Sequence, residues 1–290
     1  MILMKVSKLT SSLLTVTLIS LFLFNTQATM AEEVEKQAEA EADKKGVLDT
    51  FLGSDYSFSN VSINYLDWTS GTTDRSGKKD FVYLELEGGA GWDWGDFYFF
   101  ADIENPTRSW DGDEAPDNRR FVLKPKLNFK LGNSNWLFHI QNYYLKEDDF
   151  YVNNFVPGIA YNYFSGNGLW FQPFIGAHYQ NSDATYFDTY TGWNGYMAGW
   201  VFNYDFNIKG QKLAVSQWHE NEFDRDEEHY KADDGTNVGD GANHGVQGAI
   251  ALWWHINKKI TTGIQYRYAN HKLGAYGYQT GPIYTVKYNF

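Results

Sequence analysis

Apolar side chains recur at every second position in runs of about ten residues, and this spacing restricts the chain to strands whose two faces meet different surroundings. In Phe121-Val122-Leu123-Lys124-Pro125-Lys126-Leu127-Asn128-Phe129-Lys130-Leu131 the odd positions are apolar, and the even ones hold both inner lysines. A helix would spread those lysines around its surface; a strand sorts them onto one face. The same sorting holds for Phe97, Phe99, Ala101 and Ile103 against Asp96, Tyr98, Phe100 and Asp102. It returns in Leu169, Phe171, Pro173, Ile175, Ala177 and Tyr179 against Trp170, Gln172, Phe174, Gly176 and His178, and again at Ile264, Tyr266 and Tyr268 opposite Gln265 and Arg267. A tilted strand of about ten residues is long enough to cross a bilayer.

Twelve such runs are expected, at 56–69, 80–91, 95–104, 119–131, 136–146, 150–164, 168–180, 193–205, 211–222, 243–256, 260–270 and 279–290. An even number suits a single-chain antiparallel barrel. Short turns such as Gly91-Trp92-Asp93-Trp94, Gly132-Asn133-Ser134-Asn135, Ser165-Gly166-Asn167-Gly168 and Asn257-Lys258-Lys259 contrast with four long polar connections, as periplasmic turns contrast with outer loops. The link between the fifth and sixth runs is short for an outer loop. In the ninth run Leu213 and Val215 begin an alternation that Gln217 and His219 break, which a bulge or a lumen-turned face would explain. The expected fold is therefore all-β, a twelve-stranded antiparallel transmembrane β-barrel. A soluble sandwich also alternates, but gives no reason to set Trp92, Trp94, Trp136, Trp170 and Trp193 near strand ends, where interfacial girdles lie. The 21 Phe, 21 Tyr, 11 Trp and 27 Gly beside 6 Pro agree with a long β-structure.

Residues 1–31 read as a cleavable signal peptide: Lys5 and Lys8 precede an apolar run over 13–24, and Thr29-Met30-Ala31 offers small residues for cleavage. The run is shorter than the ~20 residues of a spanning helix. Residues 32–55 form an acidic periplasmic leader, helical or disordered, and 56–290 form the barrel. The absence of cysteine excludes a lipoprotein, disulfides and thiolate metal sites. Beyond residue 31 there are 36 acids and 22 bases, a net of −14. Segments 32–55 (−5), 105–119 (−2) and 220–240 (−7) hold all of it, so the body is charge-balanced and 220–240 reads as a large acidic loop. No basic footprint for nucleic acid is present. The last strand, ending Tyr284-Thr285-Val286-Lys287-Tyr288-Asn289-Phe290, resembles the signal read by the outer-membrane assembly machinery.

The segments Tyr83-Leu84-Glu85-Leu86-Glu87-Gly88-Gly89, Asp96 to Asp102, Trp193-Asn194-Gly195-Tyr196 and Trp253-Trp254-His255, in that order, resemble the nucleoside-specific channel-forming Tsx family, and within it the OmpK-type outer-membrane proteins. The resemblance runs from about residue 56 to 290. It implies a channel in the outer membrane of a Gram-negative bacterium that admits nucleosides, with phage-receptor use of the outer loops in some members.

Alternation nominates the side chains that face inward: Tyr83, Glu85, Glu87, Tyr98, Phe100, Asp102, Arg120, Lys124, Lys126, Gln172, Phe174, His178, Gln265 and Arg267. Twelve strands leave a narrow lumen, and aromatics beside hydrogen-bonding groups suit a solute with one flat and one hydroxylated face, as a nucleoside has. Taken alone, the alternation favours a structural ladder in which acidic strands two and three neutralise basic strand four; the resemblance reverses that preference. The alternative function is a surface or structural barrel acting through its outer loops, as an adhesin or phage receptor.

Enzyme readings find little support. Outer-membrane phospholipases place a His two residues before their nucleophilic Ser, and none of the seven His here is followed by Ser at that distance. Glu220, Glu222, Asp224 and Asp226 read as a solvated or cation-attracting loop. Asp233-Asp234-Gly235-Thr236-Asn237 and Asp111-Gly112-Asp113 lack the regular order of a calcium loop. No catalytic residue, cofactor or metal is assigned; the expected partners are nucleosides or similar small solutes, outer-membrane lipid and the assembly machinery.

Overall fold

The computed structural model describes residues 52–110, 118–148, 150–184, 187–232, 235–237, 241–273 and 275–290. The signal peptide, most of the acidic leader, Asp111-Gly112-Asp113 and Asp233-Asp234 lie outside the described residues. Of the leader, residues 52–55 are docked on the barrel: Asp55 donates its backbone N–H to Gly91 O (2.8 Å), and Trp92 Nε1 donates to Leu52 O (3.2 Å).

The strands are β1 (Tyr56–Leu66), β2 (Phe81–Trp92), β3 (Gly95–Glu104), β4 (Arg120–Lys130), β5 (Trp136–Glu147), β6 (Phe150–Tyr161), β7 (Tyr163–Phe164), β8 (Leu169–Ala184), β9 (Phe187–Ile208), β10 (Gln211–Phe223), β11 (His244–His255), β12 (Ile260–Lys272) and β13 (Ala275–Asn289). β6 and β7 both pair with β8 and are one stave interrupted at Asn162, so the barrel has twelve staves. Each stave pairs antiparallel with the staves before and after it. β13 pairs with β1, Asn60 opposite Asn289 and Leu66 opposite Ile283, which closes the sheet and leaves no edge exposed in the bilayer.

The first strand of the barrel begins and the last one ends at the rim that carries the tight turns, since Tyr56 lies opposite Gly91 and Asn289 opposite Asn60. The β9–β10 turn is Lys209-Gly210, with φ of 51° and 83°. Two consecutive residues at positive φ are what a two-residue hairpin requires. At the other rim the β1–β2 connection carries α1 (Ser70–Ser76) and the β10–β11 connection carries α2 (Glu227–Tyr230). Neither helix was expected from a period of two. α1 folds onto the barrel: the buried Thr72 donates from Oγ1 to Thr280 O (3.2 Å) and accepts from Thr280 N (2.8 Å).

Strand lengths correct the sequence reading in two places. Segments 181–192 and 271–278, expected as loops, are mostly the continuation of β8–β9 and β12–β13 as hairpins rising beyond the other staves. Their polar composition hid them, because a hairpin above the bilayer has water on both faces and no hydrophobic alternation to keep. The short β5–β6 link is as expected.

Burial follows the alternation. On β4, Val122, Lys126 and Asn128 are buried inside the barrel; on β2, Val82, Leu84 and Leu86 are exposed on the lipid side. Aromatic rings gather near the turn rim, with Trp92 stacked on Trp94 (4.9 Å), Trp94 on Phe129 (5.6 Å) and Trp136 edge-on to Tyr161 (5.1 Å). Such a belt holds the barrel at the headgroup level. Trp170 departs from the expected girdle: it lines the lumen and lies 5.8 Å from the Lys126 ammonium.

β10 is a regular strand with no bulge in its pairing. Its even residues, Ala214, Trp218, Glu220 and Glu222, point inward, so Gln217, His219 and Asn221 fall on the outer face. They answer one another there: Gln217 Nε2 donates to Tyr268 Oη (3.1 Å), Tyr268 Oη lies 2.7 Å from His219 Nδ1, and Trp200 stacks on His219 at 4.1 Å. Tyr268 reaches across because Gly248 lies between; a Cβ there would sit 2.4 Å from its hydroxyl oxygen. Mutual hydrogen bonding offsets the desolvation that isolated polar groups would meet against hydrocarbon.

Candidate functional site

The barrel is filled unequally. Leu137, Val156, Ala160, Phe174 and Met197, inward residues of β5, β6, β8 and β9, pack into a buried apolar cluster, and His139 stacks on Phe174 at 4.7 Å. The open lumen remains a cavity of about 1640 Å³ whose lining includes residues of all twelve staves. At the loop rim Trp68, Leu66, Tyr83 and Ile283 form a second buried cluster.

A polar bar crosses the cavity. Lys124 of β4 forms a hydrogen-bonded ion pair with Glu220 of β10, although these strands are five staves apart in one direction and seven in the other. Glu220 also accepts from Gln141 Nε2 (2.8 Å) on β5 and from Gln247 Nε2 (3.0 Å) on β11. Gln247 Oε1 accepts in turn from Arg267 on β12 (2.8 Å). The Trp218 ring lies between two cations, 4.6 Å from the Arg267 guanidinium and 5.1 Å from the Lys124 ammonium. Five strands thus contribute to one constriction that holds opposite charges, two amides and an aromatic face.

Below it, Lys126 donates to Gln172 Oε1 (2.9 Å), and Gln172 Nε2 donates to Asn162 Oδ1 (2.6 Å), which sits where the β6–β7 stave is interrupted. On the β2–β3 wall, Lys287 bonds Glu87 at 2.7 Å and lies 4.0 Å from Glu85, while Tyr98 Oη and Asn60 Nδ2 each donate to Glu87 (both 2.9 Å). Arg120 binds Glu104 at 2.6 Å.

These positions revise several expectations. The acids of β2 and β3 are not neutralised by β4; apart from Arg120 with Glu104, their cation is Lys287 of β13, because β4 directs Lys124 across the lumen to Glu220. Glu220 and Glu222 are buried strand residues, not members of a solvated loop. Glu222 is held by Arg225 (2.6 Å) and Lys272. Asp226 caps α2 by accepting from Glu228 N (3.0 Å). The β10–β11 loop thus begins folded toward the barrel, and an isolated acidic count could not show that. His178 is fully buried in the β8 wall and does not line the cavity. Phe174 both belongs to the apolar cluster and lines the cavity, and Glu87 and Tyr98 line the cavity as well. Tyr83, Glu85, Phe100, Asp102, Arg120, Lys124, Lys126, Gln172, Gln265 and Arg267 do line it.

The sequence reading missed Gln141, Trp218, Glu220 and Gln247. The available signal is the even set Ala214, Trp218, Glu220 and Glu222, hidden because the apolar Leu213 and Val215 draw the alternation onto the odd positions. One segment that carried the family resemblance, Trp193-Asn194-Gly195-Tyr196, turns out to shape the wall. Gly195, with φ of 70°, leaves room for the backbone of Asp224, whose carbonyl oxygen would stand 2.1 Å from a Cβ. Its neighbour Asn194 donates to Gln180 Oε1 (2.9 Å) and accepts from Asp226 N (3.0 Å), which ties the loop to the wall.

Among solved structures the chain is similar to a NanC porin, with 12% identity over 80% of this chain and 98% of that one at a TM-score of 0.45. It is also similar to an outer-membrane channel from Pseudomonas putida F1, with 14% identity over 80% and 94% at a TM-score of 0.41. The family model described as the nucleoside-specific channel-forming protein, Tsx, matches residues 63–290. With a closed twelve-stave barrel around a polar lumen and that match across most of its length, this chain is an outer-membrane channel that belongs to the Tsx family.

Proposed function

We propose that the channel passes nucleosides, or neutral solutes of the same shape, by passive diffusion through the constriction at Lys124 and Glu220. The observation that supports this reading is the composition of the bar. Its two charges satisfy each other, so a passing ion of either sign meets a like charge, while a neutral solute can exchange hydrogen bonds with Gln141 and Gln247. The Trp218 face offers stacking that does not distinguish bases. Passage requires binding strong enough to enter and weak enough to leave; contacts made one at a time with amides and an aromatic face meet that requirement.

Single-channel recording in planar bilayers tests the proposal. Steady current that falls when adenosine or thymidine is added, and does not fall with an equal concentration of a hexose, is the expected result. A silent barrel, or current indifferent to nucleosides, would favour a surface role for the loops.

A further inference from the structure

We propose that the β1–β3 wall of the lumen holds a second, separate subsite, which binds a protonated primary amine. This rests on the channel reading only in that the lumen is open to solutes. Glu85 and Asp102 lie directly opposite each other on β2 and β3, and Glu87 is next on the same face. Lys287 is the cation that the structure places on these carboxylates: it bonds Glu87, stands 4.0 Å from Glu85, and forms no salt bridge with Asp102. Three carboxylates share one ammonium.

Two further observations point to a donor-bearing ligand. Asp102 is 93% buried by its 7% exposure, and its Oδ1 has no hydrogen-bond partner; Asn60, 5% exposed, has an Oδ1 equally without a partner. The orientation of Asn60 is fixed by its Nδ2 donating to Glu87, so the free atom is an acceptor. Both residues line the cavity. Buried acceptors left unpaired are costly, and a ligand carrying several N–H groups satisfies them. Among the described residues no group of three His, Asp or Glu converges as a metal-ligand set. Tyr83 and Phe100 line the same part of the wall and offer ring faces that attract an organic cation. An ammonium on a short carbon stem combines these demands: three N–H donors for the acceptors, one positive charge for the carboxylates, and an apolar stem for the rings.

Titration calorimetry of the folded full-length barrel in detergent, with propylammonium chloride as the probe, tests the assignment independently of conduction. The expected result is saturable binding that weakens at least tenfold in Asp102→Asn and in Asn60→Leu, with potassium chloride failing to compete at equal concentration. Binding unchanged in both variants, or absent in the native barrel, would overturn the subsite, and so would equal competition by potassium, which would reduce it to a diffuse negative field. If one variant fails to show the heat-modifiable folded form, the other carries the test. Nucleoside block of current is recorded separately on the native channel; its absence there would count against the channel reading and not against the amine subsite.

Discussion

Exchanging the two charges of the bar tests whether Lys124 and Glu220 meet across the lumen. Lys124→Glu alone sets two carboxylates against each other, Glu220→Lys alone sets two ammoniums together, and the double exchange rebuilds the pair with its ends swapped. The two side chains are 13% and 6% exposed. They lie closer to a buried pair, whose breakage costs about 3–5 kcal/mol, than to a surface pair worth under about 1 kcal/mol. At an effective dielectric of about 20 the attraction at about 4 Å is about 4 kcal/mol, and lumen water screens part of it. Each single reversal should therefore destabilise the barrel by roughly 2–4 kcal/mol, and the double exchange should recover about half or more. Selectivity follows from the same arithmetic. A reversal changes the local charge by two units; at about 5 Å in a water-like dielectric this amounts to about 1.7 kcal/mol on a passing monovalent ion, a factor of more than about ten. Lys124→Glu should favour cations, Glu220→Lys anions, and the double variant should sit near the native ratio. Denaturant titration followed by gel mobility reads the first effect, and reversal potentials in a salt gradient read the second. If the double variant is as unstable as the sum of the singles, the pair across the lumen does not exist.

Leu123→Lys puts a charge on the lipid face of β4 at a cost of about 2–4 kcal/mol near the midplane, and should lower the yield of heat-modifiable barrel without altering the selectivity of surviving channels. Gly195→Ala forces a Cβ against Asp224 O at positive φ and should cost more than about 1 kcal/mol; limited proteolysis should show the β10–β11 loop cleaved faster than in the native protein. Burial, reinforced by the neighbouring Arg225 guanidinium, lowers the His229 pKa from 6.5 to about 3. The unfolded loop binds that proton more readily, so the anchoring of α2 should weaken as pH falls from 6.5 toward 3; hydrogen exchange should follow that window in the native chain and flatten in His229→Gln. Deleting Phe290, whose backbone N–H donates to Ser59 O (3.0 Å) where β13 closes on β1, should reduce folded barrel in cells if this residue ends the strand that the assembly machinery reads; native yield would oppose that role.

The twelve staves were legible because a bilayer imposes a strict rule: each lipid-facing position must be apolar, so strands such as β4 and β11 show their register in the residues alone. Where that rule lapses, the sequence misleads. The rising β8–β9 hairpin has no lipid face, α1 and α2 are too short to show a period, and β10 carries polar groups outward that only Tyr268 and Trp200, distant in sequence, make tolerable. The site was less legible for a different reason. Alternation tells which side chains enter the lumen but not which meet there, since Lys124 and Glu220 are 96 residues apart and lie on strands that do not touch. Reading charge by segment assigned Glu220 to a loop, whereas its partner across the barrel decides its role.

Selectivity for nucleosides over other neutral solutes of similar size is read most directly from efflux out of proteoliposomes loaded with radiolabelled nucleoside and a differently labelled hexose together. Nucleoside should leave several times faster than hexose, excess unlabelled nucleoside should slow it, and Trp218→Ala should remove the difference while the barrel stays folded. Equal efflux of the two solutes, unaffected by competitor and by Trp218→Ala, would rule out a nucleoside-selective passage.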